Sequence, residues 1–206
     1  MLGLASVLAG CAAAPPRYYS LATPAALQPA AEQASRQSAD TLLLAVQRSP
    51  PQAQRPQLVV RDPSRDPAVQ VLNESLWSAP LDEQIRDVLA GEVSRRLGMP
   101  AAQLLPQHAS RPVYRVDVRI DRFDMVWNEF VALDAGWTTR APGEKSSRLC
   151  QASVRVPVGG DVAALVEAQR QAVQQLGGLI AQSVVAAGVP ATQAQGTALV
   201  SELGCT

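Results

Sequence analysis

The sequence has little of the residue types that most catalytic and metal sites need. Histidine occurs once, at His108, in a chain of 206 residues. One imidazole leaves little material for a histidine-based zinc site or a serine–histidine–aspartate triad. The chain also lacks a G-x-S-x-G nucleophile elbow, a phosphate-binding glycine loop and a zinc helix motif. We therefore expect no enzymatic activity, no metal and no small-molecule cofactor.

The chain also carries no formal net charge. The 18 basic side chains balance 18 acidic ones, and Lys145 is the only lysine. A neutral chain has no electrostatic attraction to nucleic acid, so we exclude that class of partner. A hydrophobic fraction of 47% indicates a folded chain, and its length suits a single domain with a sizeable core.

Long apolar runs are absent except at residues 1–10, which are uncharged. Ten residues are too few to span a bilayer, which needs about 20. The run is typical of a signal peptide, and Leu8, Ala9, Gly10 and Cys11 resemble a bacterial lipobox. No Lys or Arg precedes the run, so we expect the natural start to lie upstream and take 1–10 as a signal-peptide remnant.

The lipobox implies cleavage before Cys11 and covalent lipid on its thiol and its new amine. Two or more acyl chains give stable membrane anchoring. Ala12, in place of an aspartate, is typical of lipoproteins sorted to the outer membrane. Residues 11–40, rich in Ala, Pro, Gln and Ser, are interpreted as a tether with a short strand at 17–21. We assign one domain to 41–190 and a weakly patterned tail to 191–206.

Within the domain, short apolar runs predict strands at 41–46, 57–61 and 69–72, the last two forming a hairpin. Apolar residues spaced by three and four predict a helix over 81–97, which Gly98 ends. A second helix is predicted over 162–184, with Asp161 as its N-cap.

Between the helices, alternating apolar residues predict an antiparallel meander of strands at 114–127, 131–137 and 150–158. The alternation shifts by one residue near Asp121 and Arg122, which predicts a bulge. The opposite face carries Asp117, Asp121 and Asp124 among arginines, and we interpret them as solvated cross-strand ion pairs rather than catalytic acids. The predicted fold is α+β: a two-layer sandwich in the order β-β-β-α-β-β-β-α, with a mainly antiparallel sheet and two long helices on one face.

The three cysteines lie far apart, which excludes zinc-finger spacing. After export, Cys150 and Cys205 would meet an oxidising compartment, where unpaired thiols usually join. We predict a disulfide between them, with free or intermolecular thiols as the alternative. The eight aromatic residues include five candidates for either core packing or partner binding: Tyr18, Tyr19, Trp77, Trp127 and Trp137.

Several short motifs occur together in a known family. They are Tyr18 to Leu21, Leu76 to Leu81, Arg122–Phe123, Val131 to Leu133 with Trp137, and the Ala-rich segment from Leu165. With the lipobox, their order resembles that of the PqiC-like, ABC-type transport auxiliary lipoproteins. The resemblance implies an accessory subunit that works beside an MCE-domain protein and an ABC or related inner-membrane transporter in lipid transport and envelope integrity.

The predicted protein is thus a lipoprotein anchored to the periplasmic face of the outer membrane, where it docks the transport machinery. One alternative is an outer-membrane assembly lipoprotein or a lipid-binding chaperone with its own cavity. Another is an envelope hydrolase, which would need a carboxylate pair without arginine partners. Self-association into a homo-oligomer is left open.

Overall fold

Among the described residues, ten strands form one sheet, and two α-helices pack on it. In this computed structural model the described residues are 15–22, 40–102, 112–185, 192–195 and 198–206. The strands are β1 (Arg17–Tyr19), β2 (Thr41–Arg48), β3 (Gln57–Arg61), β4 (Val69–Trp77), β5 (Ala101–Ala102), β6 (Val113–Val126), β7 (Phe130–Arg140), β8 (Arg148–Pro157), β9 (Thr192–Gln195) and β10 (Ala198–Cys205). The helices are α1 (Leu81–Leu97) and α2 (Val162–Val185).

The predicted meander is confirmed, because β6, β7 and β8 pair antiparallel in chain order. The register between β6 and β7 shifts between Ile120 and Arg122. This is the predicted bulge, and it keeps the apolar side chains of both halves of β6 on the helix-covered face. Val118, Phe123 and Met125 are accordingly buried.

The outer edge of β6 is shared by two strands. β2 pairs in parallel with the first half of β6, and β3 joins β6 in parallel at Arg61 and Val126. Pro50 and Pro51 separate β2 from β3, and a short 3-10 turn occupies Pro51–Gln54. β3 and β4 form the predicted antiparallel hairpin, and β1 adds to β4 in parallel.

The C-terminal segment, to which the sequence analysis assigned no element, contains two strands. β10 pairs antiparallel with β8, and β9 pairs antiparallel with β10. Leu149 and Thr206 exchange backbone hydrogen bonds of 2.9 and 2.8 Å. These contacts join parts of the chain that lie far apart in sequence, so local periodicity does not reveal them.

The predicted fold class is confirmed: an α+β structure with a mostly antiparallel sheet and both helices on one face. The core between the layers contains the inward side chains of β6, β7 and β8 and the apolar faces of both helices. Gly98, with φ of 65°, ends α1 in the left-handed conformation that favours glycine.

The two helices meet at Gly177 in α2. A Cβ atom there would lie 2.8 Å from Cγ and 2.9 Å from Cβ of Glu92 in α1. Such distances are shorter than side-chain carbons tolerate, so glycine allows this close helix contact. Gly91, in the middle of α1, is different, because a Cβ added there meets nothing within 4 Å.

The two glycines give a matched pair of alanine variants with opposite expected effects. Gly177→Ala is expected to destabilise the fold by about 1–2 kcal/mol, because overpacking outweighs the gain in helix propensity. Gly91→Ala is expected to stabilise it by about 0.5–1 kcal/mol through that propensity alone. Urea unfolding followed by circular dichroism measures both. Equal effects of the two variants would contradict the close contact at Gly177.

Glu92 also accepts charged hydrogen bonds on the α1 surface. Arg96 Nε lies 2.6 Å and Arg95 Nη2 lies 2.7 Å from Glu92 Oε1. Burial would raise the pKa of Glu92, but the hydrogen bonds from Arg95 and Arg96 outweigh it and hold the pKa below the ordinary value of 4.5. The carboxylate is therefore the stabilised form.

A depressed pKa gives stability that is present above pH 4.5 and lost as pH falls through the lower folded-state value. We expect the difference in unfolding free energy between the native protein and Glu92→Gln to stay constant from pH 7 to about pH 5 and to shrink below pH 4.5. Urea unfolding over a pH series measures this difference. A difference that does not change with pH would exclude a charge-dependent role for Glu92.

Candidate functional site

The segment after the lipobox is held on the domain by a buried glutamine. The Leu21 backbone N–H donates to Oε1 of Gln84 at 2.8 Å, and Nε2 of Gln84 donates to the Ala79 carbonyl at 2.8 Å. Leu21 and Gln84 are both buried. The Ser78 N–H donates to the Tyr19 carbonyl at 2.8 Å, next to the β1–β4 pairing. The N-terminal segment is therefore attached firmly to the start of α1.

The described chain begins beside the N-terminus of α2. Pro15, Pro16 and Glu74 line a cleft of about 440 Å³ together with Asp161 and Val162. The predicted N-cap is confirmed, because the Ala164 N–H donates to Oδ1 of Asp161 at 3.0 Å. Residues 1–14, which contain Leu8, Ala9, Gly10 and Cys11, lie outside the described residues, so lipidation stays a prediction.

The sheet face opposite the helices, here called the open face, carries the predicted row of charges. Every acid of the row has a partner: Arg119 Nε lies 2.8 Å from Asp121, Arg122 Nε lies 2.7 Å from Asp124, and Gln47 Nε2 donates to Asp117 at 2.7 Å. A catalytic pair of carboxylates without arginine partners is not found among these three.

The prediction that the ion pairs of this row cross between strands was largely wrong. Arg119 pairs with Asp121, and Arg122 with Asp124, two residues further along the same strand. One longer ion pair does cross, from Arg122 Nη1 on β6 to Asp134 Oδ2 on β7 at 4.0 Å. Alternate residues of a strand share a face, and the arginine side chain is long enough to reach along the strand to the next acid.

An apolar cleft lies on the open face, where the β3–β4 hairpin diverges from β6. We call it the valine cleft. Its volume is about 280 Å³, and its lining includes Val59, Val69, Val71, Arg55, Arg61 and Asp124. Val69 is 53% exposed. Sequence analysis did not identify the cleft. Val59 alternates along β3 with the buried Leu58 and Val60, so it lies on the outer face. Val71 and Val69 lie on β4 opposite Val59 and Arg61, a pairing between strands that the sequence pattern does not reveal.

The five candidate aromatic residues lie in different environments. Trp77 and Trp137 are buried in the core, and Trp127 and Tyr19 are partly buried against it. Tyr18 is 65% exposed. The open face also carries a cation–π contact that sequence analysis did not identify, with Arg155 Cζ 4.0 Å from the centre of the Phe130 ring.

A polar cleft of about 380 Å³ lies between the β7–β8 turn and the C-terminal part of α2. Its lining includes Tyr114, Glu144, Arg148 and Thr206. Arg148 Nη1 donates to the Ser183 carbonyl at 3.0 Å. Nearby, the structure joins Cys150 to Cys205 with an S–S distance of 2.01 Å, the pairing proposed from the sequence.

Within the described ranges, no three of the His, Cys, Asp and Glu side chains are placed to hold a metal ion. His108 lies outside these ranges. Neither α1 nor α2, the two described helices, combines the length and apolar character needed to cross a membrane.

Fold and attachment define a class of protein: an α+β domain with one covered and one open sheet face, whose N-terminal segment is fixed beside α1. A family model described as "ABC-type transport auxiliary lipoprotein component" matches residues 19–181. The chain belongs to this family, as its motifs predicted. It is therefore a lipoprotein-family component associated with an ABC-type transport system.

Two solved structures share the fold at low sequence identity. A crystal structure of an uncharacterized protein is 19% identical, with a TM-score of 0.59, covering 83% of this chain and 99% of the other. Protein XCC0632 from Xanthomonas campestris, of the DUF330 family, is 18% identical, with a TM-score of 0.53, covering 71% of this chain and 83% of the other. No curated protein is significantly similar in sequence.

Proposed function

We propose that this protein is a lipid-anchored periplasmic accessory subunit of an MCE/ABC-type lipid transport system. Acylated Cys11 holds it in the outer membrane, and the domain docks the MCE-domain partner without catalysing a reaction. The family match supports the transport role, and the lipobox supports the anchor. The observation that carries the docking role is the open face, which both helices leave uncovered and which carries paired charges beside the valine cleft.

The valine cleft has the character of a docking site. It combines one exposed valine, Val69, and the half-buried Val59 and Val71 with arginine and aspartate side chains, as the centre and rim of protein interfaces do. Val69 and Leu149 are both exposed apolar residues, at 53% and 45%, but Leu149 does not line the cleft. Scattered single apolar residues are normal on protein surfaces, whereas clustered ones mark interaction sites.

These two residues give a matched test of the docking role. The native lipoprotein, Val69→Asp and Leu149→Asp are each co-purified with the MCE-domain protein of the same envelope. We expect Val69→Asp to weaken the association at least roughly tenfold, because an unpaired carboxylate would be buried in the interface. Leu149→Asp is expected to bind like the native protein.

The other outcomes separate the remaining hypotheses. No association of the native protein with its MCE-domain partner would contradict the proposed function. Equal binding by both variants would place docking outside the valine cleft. Phospholipid present in stoichiometric amount in the purified protein, beyond its own anchor, would favour the lipid-binding chaperone instead.

A further inference from the structure

The place where the tether leaves the domain defines which end of the molecule lies near its anchor. Parallel pairing with β4 and the buried Gln84 fix the segment from Arg17 to Leu21. The described chain begins at Pro15, in a cleft that Asp161 also lines. This attachment therefore sets where Cys11 can lie relative to the domain.

The two ends of the sheet are distinct. At one end, here called the tether end, the Gly160 N–H donates to Oδ1 of Asn128 at 3.2 Å and the Val158 N–H donates to the Glu129 carbonyl at 3.0 Å. These contacts place the β6–β7 turn beside Asp161 and the start of the tether. The far end holds the β7–β8 turn, which contains exposed Lys145. The eleven residues of β7 separate the two ends by about 35 Å.

The part of the tether that precedes the attached segment, from Cys11 to Pro15, is short compared with this distance. Four residues lead from Cys11 to Pro15, and a fully extended chain of that length spans at most about 14 Å. An anchor at Cys11 therefore reaches the tether end but not the far end.

Building on the proposed lipidation of Cys11, we propose that the tether end faces the phospholipid headgroups and that the far end, with Lys145, points away from the membrane. The partner of the tether-end surface is the bilayer itself. Glu74, Glu129 and Asp161 are exposed at this end, and carboxylates give no attraction to anionic lipids. The short tether, rather than surface charge, sets the orientation, so it holds at high salt.

The single lysine makes the orientation measurable on the intact lipoprotein. With the Cys11 amine acylated, an amine-reactive fluorophore labels Lys145 alone. The variant Glu129→Lys with Lys145→Arg moves that label to the tether end. Both labelled proteins are placed in vesicles of phosphatidylethanolamine and phosphatidylglycerol containing a phospholipid with a nitroxide quencher on its headgroup. We expect quenching to be roughly threefold stronger, or more, at position 129, since about 35 Å separates the labels.

A longer tether provides the control that does not touch the fold. Inserting about 20 Gly and Ser residues between Ala13 and Ala14 adds a flexible span of about 25 Å. We expect this insertion to remove the difference in quenching. Without the insertion, equal quenching of the labels at positions 129 and 145, or stronger quenching at 145, would overturn the proposed orientation. A protein that fails to float with the vesicles would instead contradict the lipid anchor, and with it the proposed function.

Discussion

Replacing Cys205 by serine is expected to lower the free energy of unfolding by about 4 kcal/mol. The disulfide to Cys150 closes a loop of 55 residues in sequence separation, and its loss frees the unfolded chain from that constraint. Backbone hydrogen bonds between β8 and β10, including the Leu149–Thr206 pair, still hold the C-terminal segment to the sheet after this change. For a chain of this size the melting temperature is expected to fall by about 10 °C.

Reduction supplies the matched control for this prediction. Dithiothreitol is expected to lower the melting temperature of the native protein to that of Cys205→Ser and to leave the variant unchanged. Differential scanning calorimetry with and without the reductant measures both effects. Two free thiols in the denatured, unreduced lipoprotein would show that Cys150 and Cys205 do not pair.

Trp137→Ala is expected to destabilise the protein by about 3–5 kcal/mol, because it leaves a large cavity in the core. Trp137 is 1% exposed and pairs with Val118 and Cys150 on the neighbouring strands. Its indole Nε1–H donates to Oγ of Ser183 at 2.9 Å, and that hydroxyl donates to the Ile180 carbonyl at 2.7 Å. The tryptophan thus links β7 to the C-terminal part of α2.

A double-mutant cycle separates the hydrogen bond from the packing. Ser183→Ala leaves the buried indole N–H without its acceptor and is expected to cost about 1–3 kcal/mol. In the presence of Trp137→Phe the same serine change is expected to cost less, because no indole donor remains. Urea unfolding of the two single variants and the double variant measures this coupling. Strictly additive free energies would exclude a stabilising role for the Trp137–Ser183 bond.

Much of the fold was predictable from local patterns. The alternation along β6, its shift at Asp121 and Arg122, the apolar face of α1 and the Asp161 cap are each encoded within a few neighbouring residues. Side chains return to the same face every 3.6 residues in a helix and every two residues in a strand, so a few neighbouring residues are enough to reveal these patterns. The family motifs were likewise short segments in a fixed order, and the match over residues 19–181 confirmed the family that they indicated.

The candidate site was only partly predictable. The charged face of β6 was identified because its residues alternate along one strand, but their pairing along the strand was not. The valine cleft was not identified, because it forms where the β3–β4 hairpin diverges from β6. That geometry depends on the pairing of strands that are distant in sequence.

By itself, the sequence determined the family and the α+β fold class, through its periodicities and a family-specific order of motifs, and it predicts a lipid anchor at Cys11. The tertiary structure decided where the segment from Arg17 to Leu21 attaches to the domain, and the proposed orientation toward the membrane rests on that attachment. Leu21 and Gln84 are 63 residues apart, and Asp161 is far from both in sequence. The periodic spacing of apolar residues acts over a few neighbouring positions and cannot predict such a contact. The contact forms only when the helices and strands pack together.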